Sequence, residues 1–351
     1  MEEIIFRTSF EDTKWLSQKV SGLRYELENS LVNDGSSTAL QRVRSYFSPM
    51  FKYREQLSGL DFLKFVQKLD EQLRNEPETA VKMLTEVYQQ LFNQNQLIIG
   101  VTSDEEYYEI FKKELQTFLD QMPKEEKERG KFFEETENLQ EGISTASQVN
   151  YVAKAGSLKK ALGKLPGSAK LISNILENLY LYPELRAKRG AYGAYSLVDN
   201  YGNFLQYTYR DPNIVDSLKV FDGAGDFLSQ LDLDEADLEQ LIIGYFKAYP
   251  LPPETTAEQI CYRYINGLSN DDYLREAEEV AATDLKTIQS YGPVLKKLME
   301  DNELCVVGNS VQIEKDKELF KAVVKLLAEG EAAAENEEQG EEMSEEAPAE
   351  E

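Results

Sequence analysis

The sequence repeats itself. Three segments recur in the same order at an offset of about 200 residues, roughly the length of one domain, so the chain reads as two related units. FRTSFEDTKWLSQKV matches LQYTYRDPNIVDSLKV, each an apolar strand-like end followed by an acidic cap and a helix, and SGLDFLKFVQKLDE matches NGLSNDDYLREAEEV. LFNQNQLIIGVTSDEEYYEIFKKEL matches LMEDNELCVVGNSVQIEKDKELFKAVVKLL; both read as a helix end, a polar turn, a short β-rich strand and a closing helix. Units of this kind are α+β, with an antiparallel sheet packed by helices.

The copies are unequal. The second opens with strand QVNYVAKAG, a helix through Leu171, Ile175 and Leu179, and strand GAYGAYSLVD, none of which the first contains. The expected organisation is a partial first unit over residues 1–122, a charged linker over 123–142, and a complete unit over 143–328. The first unit then lacks about two strands of its sheet, leaving edges that another polypeptide would cover. Leu16, Val20, Leu23 and Leu27 form one helical stripe and Phe62, Val66, Leu69 and Leu73 another, both expected in the core. Asp211 before Pro212 predicts a capped helix start, with the helix running through Val215, Leu218, Val220 and Phe221. YPLPP, Tyr249 to Pro253, ends one helix; Thr255 or Thr256 begins the next, and Gly267 ends it.

From Glu329 the chain runs EGEAAAENEEQGEEMSEEAPAEE, with eleven glutamates and no Lys, Arg or Asp. A stretch so charged buries too little apolar surface to offset its ordering entropy, so residues 329–351 are expected to be a disordered acidic tail. Removing its eleven charges from the formal −26 leaves −15, which repels a phosphate backbone and argues against a nucleic-acid partner. No apolar run is long enough for a membrane span, and the N-terminus has no leader pattern. The expected location is the cytoplasm of a bacterium or an organelle matrix. Cys261 and Cys305 stand in apolar contexts without metal-ligand spacing, as small buried side chains in a reducing compartment.

The chain contains no histidine. That excludes Ser-His-Asp and Cys-His nucleophiles, the His-x-x-Glu-His zinc helix and its inverse, and imidazole acid–base work. No Gly-x-x-x-x-Gly-Lys-Ser/Thr loop occurs, since AGSLKKALGKLPGSAK has glycines at other spacings. Acidic groups such as Asp232, Asp234 and Asp237 fall at helix starts, where they cap. No metal or cofactor is expected on this chain.

One segment points to recognition. In LRAKRGAYGAY, from Leu185 to Tyr195, a helix end runs into a strand carrying Gly190 and Gly193, and glycine in a strand marks close backbone approach. Arg186, Arg189 and Tyr192 place strong donors beside it, a set suited to a peptide carbonyl or carboxylate. A bulged strand with a surface arginine and a core tyrosine would read the same way.

The runs QVNYVAKAG, ELRAKRGAYGAY, YRDPN and VFDGAGDFL resemble the C-terminal domain of pitrilysin/insulinase zinc peptidases of the presequence-protease and falcilysin group. RVRSYFSPMFKYREQLSGLDFLKFVQKL and NQNQLIIGVTSDEE are similar to the domain before it. The resemblance implies four α+β domains in two halves around a chamber where short unfolded peptides are cut, with zinc and the catalytic glutamate on the N-terminal half. It also implies that Arg186 and Tyr192 reach the scissile carbonyl, by the motif Arg-x-x-Gly-Gly-Ala-Tyr-Gly. Gly190, Gly193 and Asn150 complete the candidate substrate-binding set, and Arg189 stands where the motif has its first glycine. The implied partners are the catalytic N-terminal half and peptide substrates. The alternative is a stand-alone structural or peptide-binding subunit without proteolysis.

Deleting residues 331–351 is expected to leave the thermal melting temperature within about a degree of the full chain, because a segment that buries nothing adds little stability. Differential scanning calorimetry on both lengths checks this; a drop of several degrees would mean that the tail docks.

Overall fold

A strand whose side chains are buried on both faces needs a covering layer above and below. Asn150–Ser157 is such a strand. In the computed structural model, which describes residues 2–126, 135–247 and 253–325, it forms the middle of a six-stranded sheet. The strands are β1 (Glu141–Thr145), β2 (Asn150–Ser157), β3 (Gly193–Val198), β4 (Asn203–Tyr209), β5 (Glu303–Asn309) and β6 (Ala322–Lys325), ordered β3-β4-β2-β5-β1-β6. β2 pairs antiparallel with β4 and β5, and β3 and β4 form a hairpin. β1 lies parallel to both β5 and β6, so the sheet is mixed rather than antiparallel throughout. The reason is local: β1 and β2 are consecutive and oppositely directed, and β5 inserts between them, so it must run parallel to one.

Alternation divides the core. On one face Tyr151, Ala153, Ala155, Leu205, Cys305 and Val307 meet Ala39 and Val43 of helix Ser36–Ser45 and Leu60 and Leu63 of helix Leu60–Asn75. On the other, Val152, Leu304 and Val306 meet Leu181, Leu185, Leu218 and Phe221 from helices Glu177–Ala187 and Val215–Ser229. Each buried Val, Leu or Phe among them contributes on the order of 1.5–3 kcal/mol of burial. The α+β class is therefore realised as helices on both sides of one sheet.

Charge crosses the first interface. Arg42 Nε and Nη2 donate to the two oxygens of Glu141 on β1 at 2.6 and 3.0 Å, and the Tyr46 hydroxyl donates to the same carboxylate at 2.9 Å. Arg42 Nη1 reaches Asp61 at 3.4 Å and Glu55 at 3.5 Å. Burial works against the guanidinium's charge, but hydrogen bonding and attraction from Glu141, then Glu55, outweigh it and raise its pKa. Burial pushes the Glu55 carboxyl up, while Arg42 and the Leu60 N–H, which donates at 2.7 Å, pull it back.

Several expectations change. Where the second copy has β4 and β5, the first has helix Glu2–Arg7 and, over 97–101, a run that pairs with no strand among the described residues, so neither FRTSF nor LIIGV is a strand there. β4 and β5 both pair with β2, and among the described residues 2–126 nothing corresponds to β2. Leu23 is 37% exposed, because helix Thr13–Asn33 rests on helix Leu60–Asn75 through Leu16 and Val20 alone of the first three stripe positions. The helix expected from Pro212 begins at Val215, since backbone bonds to Asn150 hold Asp211 in extended geometry. The next helix begins at Pro253 rather than at Thr255 or Thr256, and Gly267 ends it at φ +63°. β1 starts two residues before the expected boundary at 143. The acidic tail, residues 127–134 of the linker and 249–252 of YPLPP lie outside the described residues.

Arg42→Ala leaves two buried carboxylates uncompensated and is expected to cost about 3–5 kcal/mol of folding stability. Urea unfolding followed by tryptophan fluorescence measures it; a loss below about 1 kcal/mol would mean that the cluster holds nothing together.

Candidate functional site

Arg186 and Tyr192 are brought together by two devices. The first is a wide, i→i+5 hydrogen-bonded helix, Glu177–Ala187, with Pro183 inside it and the fully buried Leu181 and Leu185 anchoring one face. The second is the turn after it. Gly190 takes φ +82°, a left-handed conformation that a side chain resists, while its N–H donates to Arg186 O and that of Ala191 to Leu185 O. Tyr192 N–H then donates to Arg210 O at 3.2 Å, and the chain enters edge strand β3.

The side chains follow. Tyr192 is 65% exposed, its ring edge-on to Tyr209 with centroids 6.0 Å apart, and Tyr209 in turn meets Tyr151 at 5.5 Å. The Arg186 guanidinium lies over both the Tyr182 ring, at 5.2 Å, and the Tyr192 ring, at 5.7 Å. Among the described residues it has no carboxylate partner, although the chain is strongly acidic. Its neighbours differ: Lys188 and Arg189 both pair with Glu184, and their hydrogen bonds hold that carboxyl below its ordinary range. Arg189 also donates to Glu184 O at 2.7 Å, so it closes the turn instead of facing a ligand.

The remaining candidates have structural work. Gly193 makes room for Tyr195, whose hydroxyl lies 2.5 Å from where a Cβ would sit, so the ring folds back and stacks on Tyr207 at 5.0 Å. Asn150 is fully buried; its amide donates to Asp211 O and Gln312 Oε1, and its oxygen accepts from Asn309 N–H. Both of its amide hydrogens are spent inside the fold. It acts one step back: burial raises the Asp211 carboxyl, which accepts from Ser217 and Asn213, and Asn213 donates to Arg189 O at 2.9 Å, holding the glycine turn. Two neighbours escaped the sequence reading. Tyr182 was signalled by its i, i+4 spacing to Arg186. Arg210, stacked over Tyr209 at 5.7 Å with φ +49°, had no local signal.

Chemically, the site offers an unspent guanidinium and a phenol on an exposed aromatic surface, donors for a carbonyl or carboxylate oxygen. The carboxylate on this turn, Glu184, is engaged by Lys188 and Arg189. The only two cysteines do not pair, Cys305 being buried and Cys261 half-buried, and among the described residues no three His, Cys, Asp or Glu side chains gather as metal ligands. No described helix is long and apolar enough to cross a membrane.

The fold is that of pitrilysin-type peptidases: the crystal structure of pitrilysin superposes with a TM-score of 0.54 at 13% identity, covering 86% of this chain and 32% of that one. Family descriptions add to this. The PreP C-terminal domain matches residues 140–311, and a second, peptidase-associated region of the same family matches residues 1–69. Protein HypA of Clostridium perfringens is 30% identical over 329 residues, 93% of this chain and 34% of that protein. Presequence protease 1 of Arabidopsis thaliana is 29% identical over 321 residues, 90% of this chain and 29% of that protein. The chain belongs to the presequence-protease group of pitrilysin-type metallopeptidases and corresponds to their C-terminal part. It spans about a third of the length of these curated relatives.

Zinc, which the family implies, does not fit the residues present here, since a chain without histidine offers two separate cysteines and no clustered carboxylates among the described residues. Elemental analysis of the purified chain is expected to find no stoichiometric zinc, and the chain alone is expected to cut no peptide. One tightly bound zinc per molecule would contradict this.

Proposed function

We propose that this chain is the non-catalytic, substrate-binding C-terminal part of a zinc metalloendopeptidase that degrades short unfolded peptides. It supplies wall surface and two hydrogen-bond donors, and its partner is a zinc-bearing N-terminal half, on the same parent chain or separate. One observation carries the reading. In an acidic chain whose neighbouring Lys188 and Arg189 both pair with Glu184, Arg186 alone on that turn has no carboxylate partner among the described residues and lies against the exposed Tyr192. An unpaired guanidinium costs the fold nothing at the surface and is ready to donate to an oxygen that arrives with a ligand.

The chemistry of this part is differential binding. A peptide carbonyl gains negative charge as it is attacked, and donors already in place bind the charged oxygen more strongly than the neutral one. Arg186 contributes charge and a planar fork; Tyr192 contributes one O–H. Peptides are the fitting substrates because an exposed tyrosine surface takes mixed side chains while the donors address the backbone that all peptides share. The net charge favours basic or amphipathic peptides at long range.

With the zinc-bearing half present, Tyr192→Phe removes one donor with little change in packing and is expected to lower kcat about 10- to 1000-fold with folding intact. Arg186→Lys keeps the charge but loses the fork and is also expected to be impaired, whereas Arg189→Gly is expected to be tolerated. Steady-state cleavage of an unstructured peptide measures all three beside thermal melts. Wild-type turnover in Tyr192→Phe would sink the site assignment, and failure of any zinc-bearing half to restore cleavage would favour a peptide-binding subunit.

A further inference from the structure

Arg186 is long, exposed and without a carboxylate partner among the described residues, a combination that ordinarily leaves a side chain free to sample many rotamers. A donor that must meet one oxygen beside Tyr192 cannot be left so loose. Two rings flank its guanidinium. Tyr192 is one of the proposed donors; Tyr182 is not, and nothing above gives it a task.

Tyr182 stands one turn before Arg186 on the same wide helix and is 49% exposed. The residues around it, Leu181 and Leu185, are both fully buried, so the backbone that carries the ring is fixed to the core. Its ring face lies 5.2 Å from the Arg186 guanidinium carbon, closer than the 5.7 Å of Tyr192. The geometry points to Tyr182 as a positioning residue: its ring holds the Arg186 guanidinium level with Tyr192, so that both donors meet one carbonyl oxygen. This rests on the donor role proposed for Arg186 and Tyr192. It requires the ring and not the hydroxyl, because the attraction of a cation is to the ring face. It also requires no large effect on folding, since the side chain is half in solvent.

Two measurements test it. In the purified chain, the Arg186 Nε–Hε resonance, assigned by its loss in Arg186→Lys, is expected to be shifted upfield by the ring currents, to stay there in Tyr182→Phe and to move downfield in Tyr182→Ala. A resonance unmoved by Tyr182→Ala overturns the proposal whatever the activity. In the complete peptidase, Tyr182→Phe is expected to keep wild-type turnover. Tyr182→Ala is expected to lose about 3- to 10-fold in kcat, with KM changed less than about twofold and the melting temperature unchanged, because the held donor matters most in the transition state. Full turnover in Tyr182→Ala beside an impaired Tyr192→Phe overturns the positioning role alone, and equal losses in Tyr182→Phe and Tyr182→Ala overturn the ring as its cause. Full turnover in Tyr192→Phe instead defeats the donor reading, and the resonance still decides whether Tyr182 holds the guanidinium.

Discussion

The contact on which the arrangement of layers depends is the buried, two-bonded pair between Arg42 and Glu141. Apolar packing alone would press helix Ser36–Ser45 onto the sheet without fixing where along it the helix sits, since burial is not directional. A guanidinium and a carboxylate out of water tolerate little misplacement, because each has already lost its hydration. The pair therefore acts as a register pin between the helical layer and β1, with Tyr46 and Glu55 satisfying what remains.

That placement decides what the sheet exposes. The pinned helix crosses β2, β5 and β4, and the edge at β3 stays open, with Tyr192 65% and Leu197 40% exposed. The tyrosines of this edge would be ordinary core residues under a wider cover. Left uncovered, they form the surface beside which Arg186 stands. The local charge pattern works the same way by subtraction: Glu184 engages Lys188 and Arg189 and leaves Arg186 unspent.

Much of this was legible in the chain. Strands β2 to β5 were visible as β-rich runs between turn residues, and Arg186 and Tyr192 came from a motif in which glycine spacing and donor type both carry meaning. The failures have one physical origin. LIIGV has the composition of LCVVG, but LCVVG becomes β5 because β1 and β2 lie on its two sides, while LIIGV has no such neighbours among the described residues. Asn150 likewise looks like a free amide in sequence and is consumed by Asp211, Gln312 and Asn309, residues 61 to 162 positions away.

The sequence by itself determined that no histidine chemistry is available, which family the chain resembles and where the long amphipathic helices of the first unit lie, because these depend on residue identity and local spacing. Only the tertiary structure decided that β1 runs parallel to its neighbours, that Arg42 is buried against Glu141, and that Arg186 lies over the rings of Tyr182 and Tyr192 without a carboxylate partner among the described residues. Those outcomes depend on pairings between distant segments, and a pairing is fixed only when the chain has closed and each polar group has found, or failed to find, its partner.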